Sequence, residues 1–89
     1  MTTKFTSLDE ARRVAPTEMA MHLANSRKLH DAGVLLMAGA FLDRPDEPVR
    51  TMGVLVSRAA AEDYARSDPF VQAGLVREWT VREWANMLA

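Results

Sequence analysis

The chain has 89 residues, 48% of them hydrophobic and 26% charged, which suits one small globular domain spanning 1–89 with a single modest core. A net charge of −1 argues against nucleic acid as the main partner, and the lack of cysteine excludes a disulfide framework or a thiolate metal site. The longest apolar run, Val34 to Leu42, is about half a membrane span and Lys4 precedes no apolar signal core, so a cytoplasmic protein with no membrane partner is expected.

Met1 to Ser7 carries Thr3 and Phe5 and reads as a short first strand. Leu8 to Val14 is a charged connection, either loop or a fraying helical turn. Pro16-Thr17 opens the first firm helix, with Glu18 favourably placed near its N-terminus. Met19, His22, Leu23, Ser26, Leu29 and His30 recur at helical spacing and mark its inward stripe, and Gly33 ends it. Val34 to Phe41 is apolar on both alternating faces, as in a strand covered on both sides. Leu42 to Arg50, with Pro45, Pro48 and a run of charges, is a loop.

Thr51 to Val56 follows as a third strand with Met52, Val54 and Val56 on one face. Ser57 is a good N-cap for a second helix, Arg58 to Arg66, which turns Ala60, Ala61, Tyr64 and Ala65 inward. The run Ser67 to Gly74 is one compact helical turn. In it Asp68 caps, Pro69 takes the first helical position, Phe70 and Val71 pack, and Gly74 supplies a left-handed end. Leu75 to Trp84 is the last strand.

The expected fold is therefore α+β: a ferredoxin-like βαββαβ antiparallel sheet with two helices on one face. Helices on one face leave the other bare, although the strands are apolar on both. Four strands of bare apolar sheet exceed the few hundred Å² that a monomer usually exposes. A homodimer through the sheet face is the expected remedy.

The familiar catalytic motifs are missing: no Gly-rich phosphate loop, no His-Glu-x-x-His and no Gly-x-Ser-x-Gly. What remains is a histidine on an apolar helical stripe and an aspartate on a rigid turn. His22 is either a packed, hydrogen-bonded core histidine or a general acid/base, which needs a carboxylate to orient it. Asp68 is either that carboxylate or only a cap. His30 lies about 80° around the helix from His22, and Ser26 stands at the position where a second ligand is needed, so no metal site is expected. Trp79 and Trp84 follow Glu78 and Glu83 rather than lying in a basic groove and read as core or interface. Arg50, Arg77 and Arg82 are the available anion-binding side chains, of a kind usually left in solvent.

Three stretches together resemble the YciI-like (YCII-related) family: Met21-His22-Leu23, Leu29 through Gly39, and Ser67-Asp68-Pro69-Phe70-Val71-Gln72-Ala73-Gly74-Leu75, with Val81 to Trp84 similar to the end of one branch. The resemblance implies a dimeric α+β barrel, in which two ferredoxin-like sheets pack face to face with a cleft in each subunit. The family is similar to muconolactone isomerase-type barrels, and one branch includes a dehydrochlorinase acting on chlorinated hydroxyquinols. Its His–Asp dyad maps onto His22 and Asp68. On that reading the protein is a small enzyme of the lyase or isomerase kind, without a cofactor, that moves a proton on a small cyclic metabolite. Ser26 hydrogen-bonds in the same pocket, Gly39 lets substrate approach the backbone, and Phe41 and Phe70 form apolar walls. The competing expectation is a non-catalytic dimeric module that binds a small ligand or a partner protein.

Overall fold

A computed structural model describes residues 1–88. Near its start, Ser7 has extended backbone angles and its hydroxyl accepts the Glu10 backbone N–H at 3.0 Å. The Glu10 carboxylate turns back to accept the Thr6 N–H and hydroxyl. These reciprocal caps start a helix, α1 (Leu8–Val14), where hydrophobic patterning alone suggests a connection. Asp9 and Glu10 in its first turn and Arg12 and Arg13 in its last complement the helix dipole. Pro16 at once begins α2 (Pro16–Asp31), with the bounds that the sequence predicts, and Gly33 ends it at φ 75°.

Two antiparallel ladders complete the frame. β2 (Leu35–Ala40) pairs with β3 (Thr51–Leu55), and β1 (Thr2–Thr3) pairs with β4 (Val76–Glu78). Between β3 and β4 lie α3 (Arg58–Ser67), capped by the Ser57 hydroxyl on the Ala60 N–H at 3.1 Å, and the four-residue α4 (Pro69–Gln72). The ladders touch through the bridge Thr2–Arg50 and through Thr3 and Phe5, whose backbones bond Val49 at 2.9 and 2.8 Å. Among the described residues no helix is long and apolar enough to cross a membrane.

The order β1-α1-α2-β2-β3-α3-α4-β4 corrects the expected ferredoxin-like βαββαβ arrangement, and the two open ladders correct the dimeric α+β barrel: no closed barrel forms among the described residues. The physical cause lies in the first strand. Ser7 commits the chain to a helix so early that β1 keeps only two residues, too few to knit the ladders into one sheet. The last strand is cut back for the same reason. Its apolar pattern runs from Leu75 to Trp84, yet a strand exists only beside a partner, and β1 offers partners to Val76 and Glu78.

Phe5, Ala11, Ala15 and Phe70 form the buried core, with Met19, Leu75 and Val76 packed against it. Phe5 meets Phe70 edge to face, with centroids 5.8 Å apart and planes at 71°. Leu35, Tyr64 and Ala65 are buried where α3 covers the second ladder. No residue of α2 is fully buried. Of its expected inward stripe, Met19, His22, Ser26 and Leu29 are half-buried, whereas Leu23 and His30 stand exposed.

The second ladder has one covered face and one bare face. A Cβ on Gly53 would touch Leu35, Leu55 and Tyr64, so these positions look toward α3. Met52, Val54 and Val56 alternate to the other side. A register slip between Leu35 and Met37 inserts one residue, and both Leu36 (52% exposed) and Met37 (61%) then stand in solvent. The expectation that this strand is covered on both sides therefore holds for neither of them in a single chain.

Candidate active site

Asp68 closes α3 and opens α4 in one residue. Pro69 disfavours helical angles at the residue before it, so Asp68 takes φ −61° and ψ 130°, and the chain turns a corner there. The turn leaves the residue 0% exposed. One carboxylate oxygen, Oδ2, accepts the Phe70 and Val71 N–H groups at 3.0 and 3.3 Å. The other, Oδ1, lies 2.5 Å from Nδ1 of His22, brought in from α2. Both roles that the sequence offers Asp68, cap and histidine partner, are filled at once by its two oxygens.

An ionised carboxylate only accepts hydrogen bonds, so opposite one the neutral His22 ring carries its proton on Nδ1 and keeps a lone pair on Nε2. The His22 side chain is 25% exposed, against 1% for Asp68, so the pair is anchored from within and reachable at the ring. Among the described residues no buried side-chain nitrogen or oxygen lacks a partner, which places Nε2 in reach of solvent. The Phe70 ring flanks the imidazole at 5.2 Å and 45°, and the Tyr64 ring at 6.4 Å and 57°. Such a site can take up a proton at Nε2 while the buried carboxylate faces the imidazolium that results.

Tyr64 is the member that sequence reasoning missed. It was legible as an inward residue of the second helix, but nothing in the sequence ties it to Ser26, 38 residues away, whose Oγ lies 2.7 Å from its hydroxyl. Burial pushes the Tyr64 phenol up from 10.0; the Ser26 hydrogen bond opposes this and the Asp68 charge adds to it. A raised folded value means that the stability from this group is complete below about pH 10 and is lost as pH rises through that folded value. Tyr64 is the chain's one tyrosine, so absorbance titration of tyrosinate reads it alone. Titration should place it above the free phenol, and Tyr64→Phe should flatten the alkaline fall in unfolding free energy. An unchanged alkaline slope in Tyr64→Phe contradicts this.

Of the other residues singled out from the sequence, Ser26 and Phe70 join the His22 site and Gly39 and Phe41 do not. Gly39, on β2, pairs with Met52 of β3, with open space where a Cβ would stand. Phe41 lines a surface hollow of about 340 Å³ with Asp43, Arg44, Glu47, Pro48 and Arg50. Glu47 already holds both arginines of that hollow, at 3.5 and 2.9 Å, so they are not waiting for an anion. Nδ1 of His30 binds the Leu35 carbonyl at 2.9 Å and ties the end of α2 to β2. Among the described residues no group of three His, Asp or Glu side chains converges as a metal site. Trp79 lies under the Arg66 guanidinium at 5.9 Å, and Trp84 is exposed.

No curated protein and no solved structure matches the chain. The family model described as the YCII-related domain matches residues 2–85, nearly the whole length, and the matched span contains both His22 and Asp68. The chain belongs to the YCII-related domain family.

Proposed function

We propose that the protein is a small enzyme of the lyase, isomerase or dehydrochlorinase kind, in which His22 moves a proton on a small cyclic metabolite and Asp68 holds its ring and charge. The observation that carries the reading is the division of the Asp68 carboxylate. One oxygen is fixed by two backbone N–H groups while the other meets Nδ1 at 2.5 Å, so the histidine is held by a group that cannot turn away. A histidine that served only as core packing would not require a fully buried carboxylate beside a partly exposed ring.

The test is proton exchange. Enolisable ring ketones and lactones are incubated with the protein in D2O, and loss of the carbon-bound proton is followed by NMR. The wild type should accelerate exchange on a preferred ring and His22→Gln should reduce it to the buffer rate. A folded His22→Gln protein exchanging as fast as wild type overturns the reading. The competing module that binds without catalysis draws on the hollow beside Phe41, which shares no residue with the His22 site; saturable binding without any exchange favours it.

The same reading includes a homodimer through the bare face of β2 and β3. Leu36, Met37, Met52 and Val56 are all exposed there, an apolar cluster that a second copy would cover. Sedimentation at micromolar concentration should give about twice the 9.9 kDa chain mass, and Met37→Asp with Val56→Asp should return it to one chain. A wild-type monomer with native spectra contradicts the dimer.

A further inference from the structure

Ser26 and Tyr64 form a second polar pair beside His22 and Asp68, and the proposed proton transfer uses neither. Ser26 lies one helical turn beyond His22, so both side chains leave α2 on the same face, with Cβ atoms about 5–6 Å apart. Tyr64 reaches them from α3 and is 7% exposed, whereas Ser26 is half-buried. A phenol is a stronger donor than an aliphatic hydroxyl, and burial keeps this one protonated. Either hydroxyl can donate across the 2.7 Å contact; when the phenol does, its proton points at Ser26 Oγ and the Ser26 proton is left to point away from Tyr64. A hydroxyl that accepts one hydrogen bond is also a stronger donor in the next.

We propose that Ser26, oriented by Tyr64, donates to the carbonyl oxygen of the substrate, whose adjacent carbon gives its proton to His22. This rests on the proton-transfer reading above and names its substrate class: a ring with a carbonyl next to an acidic C–H. In the step, the Nε2 lone pair of His22 takes the proton and the C–H bond breaks. Its electrons form a carbon–carbon double bond while the carbonyl π electrons move onto oxygen. The resulting enolate oxygen is held by the Ser26 O–H without proton transfer. When the carbonyl re-forms, the electrons either recover the proton from Nε2 at the far end of a ring double bond conjugated with the enolate, or expel a leaving group, with its electron pair, from the β carbon. The first outcome is an isomerisation and the second an elimination. Hydrogen-bond and near-attack contacts of roughly 3 Å span the gap between a histidine and a serine one turn apart. In this scheme Ser26 touches substrate and Tyr64 is a positioning residue.

The experiment uses ring-substituted phenols of graded acidity, because their phenolates copy the shape and charge of a ring enolate. The matching anisoles, which cannot ionise, serve as controls, and affinities are measured by calorimetry. Wild type should bind phenolates more tightly than anisoles. Ser26→Ala should weaken phenolate binding by about tenfold or more, as expected for a lost hydrogen bond to a charge, and leave anisole binding unchanged. Tyr64→Phe should weaken phenolate binding severalfold while Ser26 is intact. His22→Gln should retain the phenolate preference. A folded Ser26→Ala protein that binds phenolates like wild type overturns the proposal, as does a wild type that prefers no phenolate. A preference lost in His22→Gln and kept in Ser26→Ala also overturns it, by placing the oxyanion on the imidazole. A folded Tyr64→Phe protein with wild-type phenolate affinity overturns the positioning role. Failure of the dyad reading registers elsewhere, as deuterium exchange that persists in His22→Gln.

Discussion

Asp68→Asn is expected to stay folded, with stability changed by under about 1 kcal/mol, and to lower His22-dependent proton transfer by roughly three to four orders of magnitude. The two halves of the result follow from the two oxygens. Asn caps a helix about as well as Asp, so its amide oxygen can replace Oδ2 opposite the Phe70 and Val71 N–H groups. Its amide nitrogen then stands where Oδ1 meets His22. That nitrogen donates, so Nδ1 must accept, and the neutral ring places its proton on Nε2. The lone pair that the reaction needs is gone while the geometry survives. Asp68→Ala differs, because it orphans two N–H groups and the imidazole at a fully buried position, and it should also cost about 2–4 kcal/mol. Chemical denaturation beside the deuterium-exchange assay separates the effects; a stable Asp68→Asn protein with full activity would make Asp68 only a cap.

Phe70→Ala is expected to cost about 3–5 kcal/mol, a large part of what a domain this small commands. The ring packs edge to face with Phe5 and lies 5.2 Å from the His22 ring. α4 is only four residues long and has little helical stability of its own, so it depends on Phe70 for its place. Loss of the ring should therefore free the Asp68 turn as well as open a cavity. Urea denaturation gives the loss, and the histidine NMR signals should broaden or shift with it. A loss below about 1 kcal/mol would mean that the buried cluster does not hold α4.

How far the fold can be read from sequence depends on where each signal resides. α2 and the Asp68 turn were legible from end to end, because their stops and starts are local: Pro16, Gly33, Pro69 and Gly74 each impose backbone angles on their own. α1 was left open between a loop and a helical turn because Ser7 and Glu10 carry its signal by capping, within a stretch too charged to show an apolar stripe. β4 was overextended because strand length is set by the partner, and β1 is only two residues long. The site divides in the same way. Asp68 as a cap follows from its neighbours, whereas its pairing with His22 spans 46 residues and no spacing rule reaches that far. Family resemblance pointed to that pair and gave no hint of Tyr64, whose bond to Ser26 depends on how α2 and α3 are set beside each other.

The proposed chemistry depends on Asp68 holding His22 with the proton on Nδ1 and the lone pair on Nε2. Nitrogen-15 NMR of the imidazole reads that arrangement directly, since a protonated and an unprotonated ring nitrogen resonate far apart and long-range couplings assign each one. In the neutral ring of the wild type, Nδ1 should give the protonated, pyrrole-like signal and Nε2 the unprotonated, pyridine-like one. Asp68→Asn should exchange the two. A wild-type spectrum with the proton on Nε2, or with the two tautomers mixed as in a free imidazole, would contradict the account.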